Sequence, residues 1–284
     1  MPATVRRIRA SDAAAFEAFL APLADSSLFL LANARKAGFE DSGRPFEGTY
    51  SGAFEGGRLQ GVAAHFWNGV LAVQAPALLP EVVRYAAGAS GRAVAGLTGP
   101  QSQVVAARNA LGLSGRPAAL ESPESLFALD LADLAVPEAL ASGSVLCRRP
   151  SPEEFALVAR WRAAYRQEVL GEPEGPASDA SAREDVESLE ASGSHWVLED
   201  GDAPVAYTAF NARLSEIVQV GGVFTPPDLR GRGYARCVVA GSLLTARSQG
   251  AGRAVLFTEN AAATRAYEAI GFRRIGEYGL VIFR

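Results

Sequence analysis

Arg230-Gly231-Arg232-Gly233-Tyr234-Ala235 is the stretch whose reading decides the fold. An apolar run, Ile217 to Thr225, precedes it with the character of a strand. Ala235, Val238, Val239, Leu243 and Ala246 follow it at helical spacing. Two glycines at such a junction let the backbone come close to a ligand and leave amides unshielded where a helix begins. A helix N-terminus carries roughly half a positive charge and favours an anion. With Arg230 and Arg232 flanking it, the turn reads as a phosphate cradle.

Subtraction narrows the kind of cradle. A P-loop places a lysine after its second glycine, and the single lysine here, Lys36, stands in Arg35-Lys36-Ala37. A dinucleotide loop wants a third small residue where Arg236 stands. Composition narrows the class further. The 284 residues are 49% hydrophobic and 20% charged with a net charge of −4, which suits a folded domain and gives no basic footprint for nucleic acid. Cys147 and Cys237 make neither a metal-ligand spacing nor a disulfide framework, and His65 and His195 stand apart. The apolar runs are shorter than a bilayer span, and no secretory pattern opens the chain. The expectation is therefore a cytoplasmic protein with no metal, no nucleic-acid partner and no membrane partner.

The order of elements repeats. Ser11 to Phe16 parallels Ser151 to Phe155, and Glu55-Gly56-Gly57 parallels Glu199-Asp200-Gly201. Arg92-Ala93-Val94 parallels Arg253-Ala254-Val255, and Leu111-Gly112-Leu113 parallels Ile270-Gly271-Phe272. One unit is used twice, with a linker over 137–143. Strands are expected at Arg92–Leu97 and Val145–Arg149, a loop at Gly171–Ala182, a short acidic helix at Arg183–Ala191, and a final pair of strands. The first copy lacks the cradle, with Ala75-Pro76-Ala77 where it should begin.

Arg230-x-x-Gly233-x-Ala235 at a strand–loop–helix junction resembles the pyrophosphate loop of the GNAT superfamily of N-acetyltransferases. The resemblance covers roughly 145–283. It implies an α+β protein of two GNAT-like domains, each a mixed, mostly antiparallel sheet with a splayed central strand pair flanked by helices. The expected spans are 1–136, a degenerate copy, and 144–284, the catalytic domain. Acetyl-CoA is the implied cosubstrate, held by Val223, Phe224, Thr225, Arg230, Gly231, Arg232, Gly233, Tyr234, Ala235, Arg236 and Asn260. Gly221-Gly222 marks a bulge that would splay the strand, and the Val223 amide would hold the oxyanion. Tyr267, two helical turns beyond Asn260, matches the family tyrosine that protonates the leaving thiolate.

The implied reaction is acyl transfer to an amine. An alkyl amine of pKa about 10.4 is neutral only about once in 10³ molecules at pH 7, so a base is useful. Glu216 is the first choice, with Glu259 and Glu168 as alternatives. Trp161, Tyr165 and Glu168 share a helix face that could hold a cationic acceptor. The acceptor itself, a small molecule or a peptide, is not legible, and a homodimer is left open. A non-catalytic acyl-CoA binding or sensing protein is the competing reading.

Overall fold

The computed structural model describes residues 3–284. Two compact units divide the chain, one running to Leu126 and completed by Gly276–Arg284, the other being Phe127–Ile275.

The first unit begins with β1 (Thr4–Arg7), α1 (Ala13–Leu20) and α2 (Ala24–Ala37). Asp12 receives the Arg9 amide at 2.9 Å and pairs with Arg6 at 2.7 Å, which fixes the entry to α1. The helical stretch Ala10–Ala37 is long and apolar enough to cross a membrane by length and composition, contrary to the expectation of short apolar runs. Its apolar face is nevertheless spent inside this unit, since Phe16, Leu20, Leu28, Leu30 and Leu31 are all buried. Next come β2 (Gly48–Glu55), β3 (Arg58–Phe66), β4 (Val70–Gln74), α3 (Leu79–Ser90), β5 (Gly96–Pro100), α4 (Gln101–Ala110) and β6 (Ala118–Asp130). Gly56 and Gly57, at φ 55° and 79°, form the expected tight turn between β2 and β3.

The second unit contains α5 (Glu138–Ala141), β7 (Leu146–Arg148), α6 (Phe155–Leu170), α7 (Pro176–Ala191), β8 (His195–Asp200), β9 (Ala203–Arg213) and β10 (Ile217–Phe224). It continues through α8 (Tyr234–Ser248), β11 (Arg253–Thr258), α9 (Ala261–Glu268) and the start of β12 (Arg273–Phe283). Ser151 and Glu154 make a capping box ahead of α6.

The repeat holds at the level of strand direction. In the first unit β1, β2, β3 and β4 are successively antiparallel and β4 is parallel to β5. In the second, β7 to β10 are successively antiparallel and β10 is parallel to β11. Each sheet is thus mixed and mostly antiparallel, with helices packed on it.

Several elements differ from the sequence expectation. Arg92–Val94 is not strand, because Gly96 is the residue that pairs with Val70, while the Arg92 side chain is held by Asp41 and the His65 carbonyl. The true counterpart of Arg253 is Gly96, since Ile217 pairs with Arg253 as Val70 pairs with Gly96. The acidic helix starts at Pro176, well inside the expected loop, as proline suits a first helical turn. The expected final pair of strands is one continuous strand, β12. The spans also differ from 1–136 and 144–284. Tyr278 to Ile282 pair antiparallel with Pro100 to Gly96, so the end of the chain completes the first unit. The edge of β11 is covered instead by β6, of which residues 127–130 lie in the second unit.

Candidate active site

The glycine turn sits between β10 and α8. Gly231 and Gly233 adopt φ 81° and 83°, a region costly for any other residue, and Gly233 is the N-cap of α8. A Cβ on Gly231 would meet nothing within 4 Å, so the backbone there is open. The helix ladder starts with the Cys237 amide on the Gly233 carbonyl, at 3.3 Å. The amides ahead of it have no intrahelical acceptor. Arg230 is braced, its Nε donating to the Thr225 carbonyl at 2.9 Å and its Nη2 to Glu168 at 2.7 Å. Arg232 makes a long contact with the Asp228 carbonyl, at 3.5 Å, and reaches the Tyr234 hydroxyl, while Arg236 is exposed with its guanidinium over Gly233. The Tyr234 hydroxyl donates to Asp200, which raises the phenol above its usual pKa.

The strand leading to this turn is splayed. β10 pairs with β11 only from Ile217 to Gln219, leaving Val220–Phe224 and Leu256–Thr258 without that partner. On its other side the register with β9 shifts between Gly221 and Phe224, so a bulge lies at Gly222-Val223. Gly222 has φ 60°. The polar backbone of one strand end is therefore left to pair with something else, at the edge that opens onto the cradle. Phe224 is buried against Trp161, 6.2 Å between rings.

Asn260 caps α9, its Oδ1 accepting from the amides of Ala262 and Ala263 at 2.9 and 3.0 Å. The cap consumes the oxygen and leaves the amide nitrogen for other work. Tyr267 lies in the core cluster beside Phe272 and is 7% exposed. Burial pushes its phenol well above the ordinary tyrosine value, and Tyr165 adds to the shift.

Other expected residues do not join this group. Glu216 is exposed and precedes β10, seven positions from Val223. At about 3.3 Å per residue it stands roughly 23 Å from the bulge. Trp161 is a core residue, 9% exposed, so of the expected face only Tyr165, half-buried, and Glu168, exposed, reach outward. Glu168 is tied to Arg230 and offers a braced carboxylate rather than a free one. Glu259 is exposed just beyond β11. Sequence reasoning passed over Arg162, which is buried against Gly222: a Cβ on that glycine would collide with its Nη1. The available signal was Gly222 itself, a missing side chain that makes room for something. Tyr207 lies on the same side of the bulge and is buried. Its hydroxyl meets His195 Nδ1 at 3.3 Å, and His195 Nε2 meets Glu190 at 2.9 Å.

The equivalent place in the first unit is built differently. Four residues, 75–78, join β4 to α3, where nine, 225–233, join β10 to α8. Leu78 takes the left-handed N-cap position, φ 54°, that Gly233 holds in the second unit. The Ala75 amide already donates to the Gln103 side chain at 2.6 Å.

A family model described as the acetyltransferase (GNAT) family matches residues 157–272. No curated protein matches the sequence. Among solved structures, an acetyltransferase from the GNAT family from Colwellia psychrerythraea aligns with 99% of this chain and 100% of its own, at 16% identity and TM-score 0.53. A GCN5-related N-acetyltransferase from Sphaerobacter thermophilus aligns with 98% of this chain and 94% of its own, at 14% identity and TM-score 0.58. A tandem GNAT protein from the clavulanic acid biosynthesis pathway aligns with 99% and 98%, at 14% identity and TM-score 0.53. At these identities the likeness is one of fold. The matched span, which contains the splayed pair, the glycine turn and Tyr267, carries a GNAT acetyltransferase domain, and the chain over nearly its whole length is similar in fold to GNAT proteins that include a tandem one.

Proposed function

We propose that the second unit is an N-acetyltransferase that moves an acetyl group from acetyl-CoA to an amine by direct attack. The observation that carries this reading is the stretch of β10 that has left β11, leading into a turn whose amides have no intrahelical acceptor. The open amides of Gly231 to Arg236 suit a diphosphate, with Arg232 and Arg236 as exposed countercharges and Arg230 as a braced one. The pantetheine arm, which carries amides of its own, would pair with Val223 and Thr225 as an added strand. Its thioester carbonyl would then meet the Val223 amide at the bulge.

The chemistry balances simply. The amine nitrogen attacks the thioester carbon, a C–N bond forms, and the oxyanion is held by a fixed backbone dipole. The C–S bond then breaks, the nitrogen gives up a proton and coenzyme A leaves as thiol. A buried tyrosine is a weaker acid than a thiol of pKa about 8.5. Tyr267 is therefore better suited to donating a hydrogen bond to the departing thiolate than to surrendering its proton outright. Glu216 is too far from the bulge to take the amine's proton directly, so the amine enters neutral. Much of the acceleration then comes from holding two reactants together, for which effective molarities of order 10⁵–10⁸ M are available. The first unit, with Leu78 and Gln103 where a cradle and its cleft would be, is read as a degenerate copy without a cofactor of its own.

The test is thiol release from acetyl-CoA across a panel of small-molecule and peptide amines. Turnover with at least one amine is expected, and Tyr267→Phe should lower kcat by about 10²-fold with little change in KM for acetyl-CoA. Tight coenzyme A binding with no turnover for any amine would favour the sensing protein instead.

A further inference from the structure

We propose that the acceptor is an amino carboxylate, its amine close to its carboxylate along a short carbon chain, and that Arg162 binds the carboxylate. This rests on the acetyl-transfer reading above. Arg162 projects from α6 and is 9% exposed, an expensive place for a guanidinium unless an anion answers it. Its Nη2 donates to Asp185 at 2.7 Å. Its Nε is buried with no acceptor. Its Nη1 lies against Gly222, in space that any side chain at that position would fill. That Asp185 oxygen is shared, since it also receives Arg166 Nη1 at 3.0 Å, although Arg166 has Glu172 besides.

Gly222 is the residue before Val223, so the cation stands beside the place where the amine must attack. An anion held there lies a short distance from the nucleophilic nitrogen, which is why the separation within the acceptor must be small. A guanidinium matches a carboxylate better than any other common anionic group of a small amine, through two parallel N–H donors. The aromatic-and-acid face expected to hold a cationic acceptor is weakened as a competitor, since Trp161 is packed in the core and Glu168 is committed to Arg230. The acceptor site thus presents a cation at its floor, and an amine lacking an acid group would leave it unanswered.

The experiment compares L-amino acids with their primary amides in acetyl-CoA thiol release by the full chain. For the best acid, kcat/KM should exceed that of its amide by 10-fold or more, with the difference in KM. Arg162→Gln should bring acid and amide to within about twofold, and Arg162→Lys should restore part of the gap. Titration calorimetry on the coenzyme A complex should show the acid binding at least 10-fold more weakly to Arg162→Gln than to wild type. The wild-type comparison needs no variant to fold, and a coenzyme A melting shift in Arg162→Gln reports that its other site is intact. Equal use of acid and amide by wild type overturns the proposal while leaving acetyl transfer standing. An equal loss for both in Arg162→Gln also overturns it and makes Arg162 a stabiliser of the reaction itself. No coenzyme A binding and no thiol release with any amine overturns both readings.

Discussion

His195 is wholly buried between two groups of opposite habit, the Tyr207 hydroxyl on Nδ1 and the Glu190 carboxylate on Nε2. That arrangement fits the neutral ring with its proton on Nε2, Nδ1 accepting from the phenol. Burial lowers its pKa and outweighs the carboxylate, which pulls the other way. The consequence for stability has a definite sign. Below the unfolded value of about 6.5 the unfolded chain takes up a proton that the folded chain refuses, so stability falls as pH drops through that point toward the lower folded value. His65, also buried and also lowered, adds to the trend. The urea midpoint should therefore decline between pH 7.5 and 5.5, and His195→Gln should flatten the decline. A midpoint that rises over this range, or a slope untouched by the substitution, would contradict the neutral assignment.

Elements meet here through missing side chains. Gly241 in α8 has no room for a Cβ, because Cys147 of β7 occupies that space. The same closeness desolvates the half-buried Cys147 thiol and pushes its pKa up to about 12. Gly241→Ala should cost about 1–3 kcal/mol as an overpacked contact, read as a lower urea midpoint with unchanged m-value. A neutral effect would mean that α8 slides freely on the sheet. The cradle and the bulge were legible in the sequence for a related reason. A glycine required at positive φ, such as Gly231, Gly233 or Gly222, is visible as a residue type before any fold is known. The Asn260 cap is a local matter of residue type, an Asn directly before a helical run. Arg162 was not legible, since a charged helix residue looks the same whether it faces water or a bulge on a distant strand. Glu216 misled because a strand-end acid near a motif in sequence can lie a whole strand away in space. The expected loop at 171–182 failed because Pro176 reads as a breaker but serves as a helix start.

At the scale of the whole molecule, strand order repeats but chain segments do not divide at the linker. No periodicity could say which edge β12 covers, since any apolar strand fits either copy of β5. The partition has a testable cost. A fragment ending at Val136 lacks Gly276–Arg284, so β5 loses its antiparallel partner and Phe283 leaves the core it shares with Val82 and Leu97. An open apolar edge of this kind invites aggregation. The fragment should melt without cooperativity or aggregate, while a version with residues 276–284 joined through a flexible linker should regain a cooperative transition. A fragment that folds stably alone would show that the last strand is dispensable.

Use of acetyl-CoA depends on Gly231 to Arg236 gripping a diphosphate. Thermal melting of the full chain with coenzyme A, set beside melting with pantetheine, which keeps the thiol and both amides but lacks the diphosphate, tests this most directly. Coenzyme A at 100 times its Kd should stabilise the chain by about 2.7 kcal/mol. Pantetheine at the same concentration should do far less, and Gly233→Glu should abolish the difference. Equal shifts from the two ligands, or no shift from coenzyme A, would contradict the assignment of the turn.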